Sequence, residues 1–345
     1  MNTMDPNNPE ESTTLPESDV ETTTSAPEVL TEQKLIPISQ LVIGLVFLSI
    51  SVGSGAVLIG ALTKGDETPP VAQVAAVEAR IQDIYGPLSL EARGVYVYDA
   101  KNEKELFSKG GALQLPLASI TKVALVLTIA EVLPPESVVT ISRTAVEKGG
   151  GGLTWGEEWL VRDLIDYTLI TSSNTGAEAL REAADPLLSA RYPEAGIENA
   201  TIWRMNSLAQ QLGMNETYFI NATGLDESPT QAGALSSPRD VAALFAYALR
   251  THRELFSVTS KTEIPLGPSN APERDARNTN AALFAIPNII MGKTGTTDLA
   301  GGNLAVAFDA EPGHPFIIVV LGSGIAGRFE DVEKLVKATR ENLEE

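Results

Sequence analysis

Apolar and polar positions change period several times from Ala92 onward. "ARGVYVYDAKNEKELFSKGG" alternates apolar and polar residues on both sides of Asp99-Ala100-Lys101-Asn102, which predicts a β-hairpin. A helix is expected from Ser119 to Leu133, stopped by Pro134-Pro135. A loop holding Gly149 to Gly152 follows, and "EEWLVRDLIDYTLITSSNTGAEALREAA" reads as two helical stretches around a polar break. "PRDVAALFAYALRTHRELF" is another helix, with Ser237 placed to cap its N-terminus. "NIIMGKTGTT", "NLAVAF" and "PFIIVVLG" are strand-like runs joined by short Gly/Asp/Pro turns, so they pair antiparallel. "FEDVEKLVKATRENLEE" is an amphipathic helix.

The N-terminal part follows none of these periods. Residues 1–34 hold eight acidic residues and one lysine in a Pro/Glu/Ser/Thr/Asn-rich background, a composition that cannot bury enough surface to order itself. The expectation is a disordered acidic tail. No charged residue lies between Lys34 and Lys64. Residues 35–63 exceed the roughly 20 residues needed to cross a bilayer core, so a single transmembrane helix is expected there. A buried core helix and a cleaved signal peptide are its rivals. One lysine flanks each side, which leaves the orientation open on charge alone. Residues 64–80 read as a linker and 81–345 as one folded catalytic domain without internal repeats.

The formal net charge of −20 argues against a nucleic-acid partner, because phosphate binding needs clustered Lys and Arg. The chain has no cysteine, which removes thiol nucleophiles, disulfides and Cys-ligated metal. It has two histidines, His252 and His314, too few for most histidine-based catalysis or metal binding. No metal or cofactor is called for.

The candidate chemistry starts at Ser119 and Lys122. The helix after Ser119 is apolar nearly all round and so is expected to be buried. Residues at i and i+3 share a face, so the two side chains can touch. Burial lowers the pKa of a lysine, and a neutral amine can take a proton from a hydroxyl. The competing reading is a lysine that snorkels to solvent. Two further motifs follow. "TSSNTG" puts Ser172 and Asn174 in the polar break, where N-capping is the bland alternative. "IIMGKTGTTD" puts Lys293, Thr294, Gly295 and Thr296 at a strand end. A phosphate loop does not fit there, since its earlier glycine falls on Pro287 and a strand follows.

In this order the three motifs resemble those of the serine penicillin-recognising enzymes, and the flanking sequence resembles the D-alanyl-D-alanine carboxypeptidase family over roughly residues 81–340. The resemblance implies an α+β fold of the serine β-lactamase/transpeptidase type: an antiparallel sheet flanked by helices, plus a helical subdomain. It implies Ser119 as acylated nucleophile, Lys122 as general base and Ser172 as proton relay. Asn174 would bind the substrate's peptide amide, and Lys293, Thr294 and Thr296, beside Gly295, its carboxylate. Arg328 is a further candidate for that carboxylate. The oxyanion hole would be the N–H groups of Ser119 and Thr296. The implied substrate is a peptidoglycan stem peptide ending in D-Ala-D-Ala, with β-lactams as covalent inhibitors. That substrate places the catalytic domain outside the cytoplasm and the N-terminus inside. That family often adds a β-rich C-terminal domain and a C-terminal membrane helix, whereas anchoring here is expected at the N-terminus. An endopeptidase on cross-links, a class A-like β-lactamase and a non-catalytic penicillin sensor or wall-binding receptor are the alternatives. No Glu-x-x-Leu-Asn arrangement for the β-lactamase lies between Asn174 and Lys293.

Overall fold

The computed structural model describes residues 84–343 apart from 151, 197 and 342. All of these fall in the compact unit Thr68–Glu345. The expected tail (1–34), transmembrane helix (35–63) and linker (64–80) lie outside the described residues. Among the described residues no helix is long and apolar enough to cross a membrane.

Strand β1 (Gly94–Asp99) turns into β2 (Lys104–Lys109) as the expected hairpin. The Asp99 carboxylate shapes the turn, with Oδ1 accepting the backbone N–H groups of Lys101 and Asn102 at 3.0 and 2.9 Å. His314 donates from Nε2 to the same oxygen over 2.9 Å, so this buried histidine is structural.

A helical body follows: α1 (Thr121–Ile129), α2 (Arg143–Gly149), α3 (Val161–Ile170), α4 (Asn174–Arg191), α5 (Ala200–Gln211) and α6 (Pro238–Thr251). Ser237 caps α6 as expected, accepting the Asp240 N–H. The helix expected over Ser119–Leu133 is shorter at both ends. Residues Ala118–Ile120 form a single 3-10 turn, and α1 ends at Ile129, before the two prolines. Helices α2 and α5 were not marked by the periodicity.

The chain returns to the sheet as β3 (Ile289–Thr297), β4 (Gly301–Glu311) and β5 (His314–Ser323) and ends in α7 (Gly327–Glu341). The five strands are antiparallel in the order β3-β4-β5-β1-β2, so β3 is an edge.

Both faces of the sheet are buried, which explains the unbroken apolar runs of β4 and β5. Alternate residues point to opposite faces. Ala305, Ala307, Ile317, Val319 and Leu321 join the core of the helical body. Leu304, Val306, Phe308, Phe316, Ile318 and Val320 pack against Val332, Leu335 and Val336 of α7. Each such buried aliphatic or Phe side chain contributes about 1.5–3 kcal/mol relative to exposure. This two-sided burial makes the sheet a rigid platform for the end of β3.

Candidate active site

Ser119 sits on a strained elbow. Ala118 before it has φ 50°, a left-handed conformation that costs a non-glycine residue about 1–3 kcal/mol and persists only where its surroundings impose it. They do so here. Thr121 Oγ1 donates to Ala118 O at 2.7 Å, and the buried Asn303 donates from Nδ2 to the carbonyls of Pro116 and Leu117 at 2.9 and 3.1 Å. Gly224 packs its main chain against the same carbonyl: a Cβ there would lie 1.9 Å from Ala118 O. The nucleophile candidate is thus presented half-buried and fixed, at the entry to α1.

All nine residues of α1 are buried, and Lys122 has no exposed surface. Its Nζ lies 2.8 Å from each of Ser119 Oγ, Asn174 Oδ1 and the Thr223 carbonyl oxygen. Burial holds its pKa well below the usual lysine range, the positive charge of Lys293 pushes the same way, and Glu178 opposes both. The snorkelling alternative is therefore wrong for this lysine.

The polar break between α3 and α4 resolves the capping alternative. The cap of α4 is Ser173, whose Oγ accepts the Gly176 N–H at 3.0 Å. Its neighbours Ser172 and Asn174 are left for other work. Ser172 has φ 62°, again left-handed, and its Oγ accepts from Lys293 Nζ at 2.8 Å. Among the described residues no hydrogen bond joins Ser172 to Ser119. Asn174, first residue of α4, contacts Lys122 through Oδ1.

Strand β3 carries the third set. Lys293 is 2 % exposed and also donates to Thr294 O at 3.0 Å. Burial, then the nearby Arg328 guanidinium, lower its pKa to about 7. Thr294 Oγ1 lies 2.6 Å from Thr279 Oγ1. Arg328, at the start of α7, donates from Nη1 to Gly295 O at 2.7 Å and to Thr296 Oγ1. Its buried Nε has no hydrogen-bond partner among the described residues. A Cβ on Gly295 would lie 2.9 Å from Leu117 O, 3.1 Å from Ala118 Cβ and 3.2 Å from Ser119 N. Its missing side chain lets β3 lie directly against the Ser119 elbow.

The three motifs thus converge. Ser119, Lys122 and Asn174 form one bonded set, and Ser172 and Lys293 another. Gly295, Thr296 and Arg328 close the third side. Sequence reasoning missed Thr223, Gly224, Asn303 and Thr279. Thr223 acts through its carbonyl, which any residue carries. Asn303 and Gly224 act on the elbow from distant parts of the chain.

A half-buried serine bonded to a fully buried lysine, on a sheet-and-helix fold of this kind, defines the serine penicillin-binding superfamily. The solved structures it resembles agree. Penicillin-binding protein D2 of Listeria monocytogenes with ampicillin bound is 27% identical, with TM-score 0.61 over 73% of this chain and 98% of that one. A DD-transpeptidase of Streptomyces K15 shares the fold at 22% identity and TM-score 0.62, covering 75% of this chain and 100% of that one. Residues 81–324 match the family model described as D-alanyl-D-alanine carboxypeptidase, and the chain belongs to that family. Carboxypeptidase DacF of Bacillus subtilis is 29% identical over 61% of this chain and 52% of its own length. Carboxypeptidase DacC of Escherichia coli is 28% identical over 72% of this chain and 61% of its own. A D-alanyl-D-alanine endopeptidase of Pseudomonas aeruginosa is 28% identical over 71% of this chain and 76% of its own. The chain therefore spans about half to three-fifths of the length of the first two.

Proposed function

We propose that this protein is a serine-type D-Ala-D-Ala carboxypeptidase that cleaves peptidoglycan stem peptides through a Ser119 acyl-enzyme and is acylated by penicillin at the same residue. One observation carries the reading: the three partners of the Lys122 amine. A neutral amine has two hydrogens and one lone pair. Asn174 Oδ1 and the Thr223 carbonyl can only accept, so they take the two hydrogens. The lone pair is left facing the Ser119 hydroxyl at 2.8 Å, within reach for general-base catalysis.

The steps follow from that geometry. Lys122 takes the Ser119 proton as Oγ attacks the penultimate D-alanine carbonyl. The oxyanion is met by the N–H groups of Ser119 and Thr296, donors worth about 3–4 kcal/mol each in such a site. The leaving D-alanine nitrogen receives a proton through Ser172, whose oxygen already accepts from Lys293 and can be resupplied by it. Water then hydrolyses the acyl-enzyme: its proton passes through Ser172 to Lys293, and Lys122 returns its proton to Ser119 Oγ as the ester bond breaks. With its Oδ1 on Lys122, Asn174 keeps Nδ2 to donate to the carbonyl of the substrate's peptide amide. Lys293, Thr294, Thr296 and Arg328 surround the position of the terminal carboxylate. Beyond Gly292, whose N–H is taken by Thr259, the edge strand β3 offers main-chain pairing to an extended peptide.

We further propose that residues 35–63 anchor the protein with its acidic tail in the cytoplasm and its catalytic domain outside. The support is the uncharged stretch together with the extracytoplasmic substrate. Protection of the tail, and not of the domain, from protease added to intact spheroplasts tests it.

Release of D-alanine from a pentapeptide, run beside fluorescent-penicillin labelling, tests the activity. Labelling without release points to a sensor, and rapid penicillin hydrolysis to a β-lactamase. Cleavage of cross-linked dimers without D-alanine release points to an endopeptidase.

A further inference from the structure

The Thr223 carbonyl can aim the Lys122 amine only if it is itself held. Nothing in the motifs explains how, yet the segment around it is tied internally and at both ends. Asn221 sits at its centre. Its Oδ1 accepts from the Gly224 N–H at 2.7 Å and from the N–H and hydroxyl of Thr223 at 3.2 Å each. Its Nδ2 donates to Leu225 O at 2.9 Å and to Glu227 Oε1 at 2.6 Å. Both faces of the amide are thus used to fold five residues around it. The segment's start is fixed by Gly233, whose carbonyl accepts the Ile220 and Asn221 N–H groups at 2.9 and 3.1 Å. A Cβ on Gly233 would lie 2.3 Å from Asn221 Nδ2, so that main chain lies against the amide. The far end is fixed by Asp226, which accepts from Thr297 Oγ1 at 2.9 Å and the Leu299 N–H at 3.1 Å, where β3 ends.

We propose that Asn221 is a positioning residue for the general base: it sets the Thr223 carbonyl that takes one hydrogen of Lys122, so that the amine lone pair stays on Ser119. The inference rests on the reading of Lys122 as base. With the carbonyl displaced, Asn174 alone orients the amine, and rotation about its Cε–Nζ bond turns the lone pair away. Substrate contacts on β3 and Asn174 are untouched, so the loss falls on chemistry and not on binding. Asp226 serves as the contrast, because it ties the segment to the carboxylate-binding strand.

The test uses the full chain and a fluorescent penicillin at varied concentration, which separates the non-covalent Kd from the first-order acylation constant. Rates are normalised to titrated active sites, and Tm is measured in parallel. Asn221→Ala is expected to lower the acylation constant by about 10- to 100-fold, part of what a general base supplies, with Kd within about twofold. Asn221→Asp paired with Glu227→Gln keeps the accepting oxygen and removes the charge repulsion, though not that against Leu225 O, and is expected to recover part of the rate. Asp226→Asn is expected to raise Kd instead. If Asn221→Ala does not fold, Asn221→Ser carries the same test, since a hydroxyl reaches only part of the turn. A lowered Tm with an unchanged acylation constant at the titrated sites would make Asn221 merely structural and overturn the inference. A wild-type protein that takes no label, or takes it away from Ser119, would instead overturn the reading beneath.

Discussion

Gly295→Ala is the substitution with the most defined expected consequence. Gly295 does not require a left-handed backbone, so alanine changes the volume and little else. The added Cβ would start 2.9 Å from Leu117 O and 3.2 Å from Ser119 N, against the 3.4 Å at which ordinary contact begins. All three near atoms belong to the elbow that carries Ser119, and two of them are main chain. Neither side yields freely. The elbow is tied by Asn303 and Thr121, and β3 by its pairing to β4. Relief therefore opens the gap between β3 and the elbow by about half an ångström. That gap is where the N–H groups of Ser119 and Thr296 would converge on the oxyanion. Complete loss of one such donor costs about 10²–10³ in rate, so a partial displacement is expected to cost about 10- to 100-fold in acylation. The overpacking itself is expected to destabilise the fold by about 1–3 kcal/mol. Stopped-flow acylation by a fluorescent penicillin, with Tm by calorimetry, reads both. Acylation within threefold of wild type in a folded Gly295→Ala protein would refute the idea that close packing of β3 on the elbow builds the oxyanion site.

Lys122→Ala is expected to lower acylation by about 10²–10⁴-fold while the circular dichroism spectrum stays native, and a rate near wild type would remove the base from the mechanism. The pH–rate profile should show an acid limb well below the usual lysine range for Lys122, and a basic limb near 7 for Lys293 in the free protein. Arg328→Gln removes one of the two causes that depress Lys293, so the basic limb should move to higher pH; an unmoved limb would show that Arg328 does not act on it. Stability should respond as well. Between about 7 and the ordinary lysine value of 10.5 the unfolded chain binds a proton at Lys293 that the folded one does not, so stability should rise with pH across that window. Denaturation midpoints of wild type and Lys293→Met at pH 7 and 9.5 check this, with the wild type gaining more on raising the pH.

The parts of this molecule that were legible in its sequence are those governed by local rules. The hairpin at Asp99 and the three closing strands follow from alternation and turn residues. Lys122 could be placed beside Ser119 because helical spacing fixes i and i+3. Where distant segments meet, the local rules ran out. Ser172 and Asn174 were open to a capping reading that only the position of Ser173 excludes. The left-handed Ala118 is imposed by Asn303 and Gly224, each more than 100 residues away in the chain. The Thr223 carbonyl has no side-chain signature at all. The contact of Gly295 with the elbow's own atoms joins segments more than 170 residues apart and leaves no local pattern.

The central claim is that the Ser119 oxygen, activated by the buried Lys122 amine, is the atom that becomes acylated. Peptide mass mapping after brief exposure to benzylpenicillin tests it most directly. The account predicts one adduct, on the peptide containing Ser119, absent from Ser119→Ala and nearly absent from Lys122→Ala. An adduct on any other residue, or one that persists at full yield in Ser119→Ala, would contradict it.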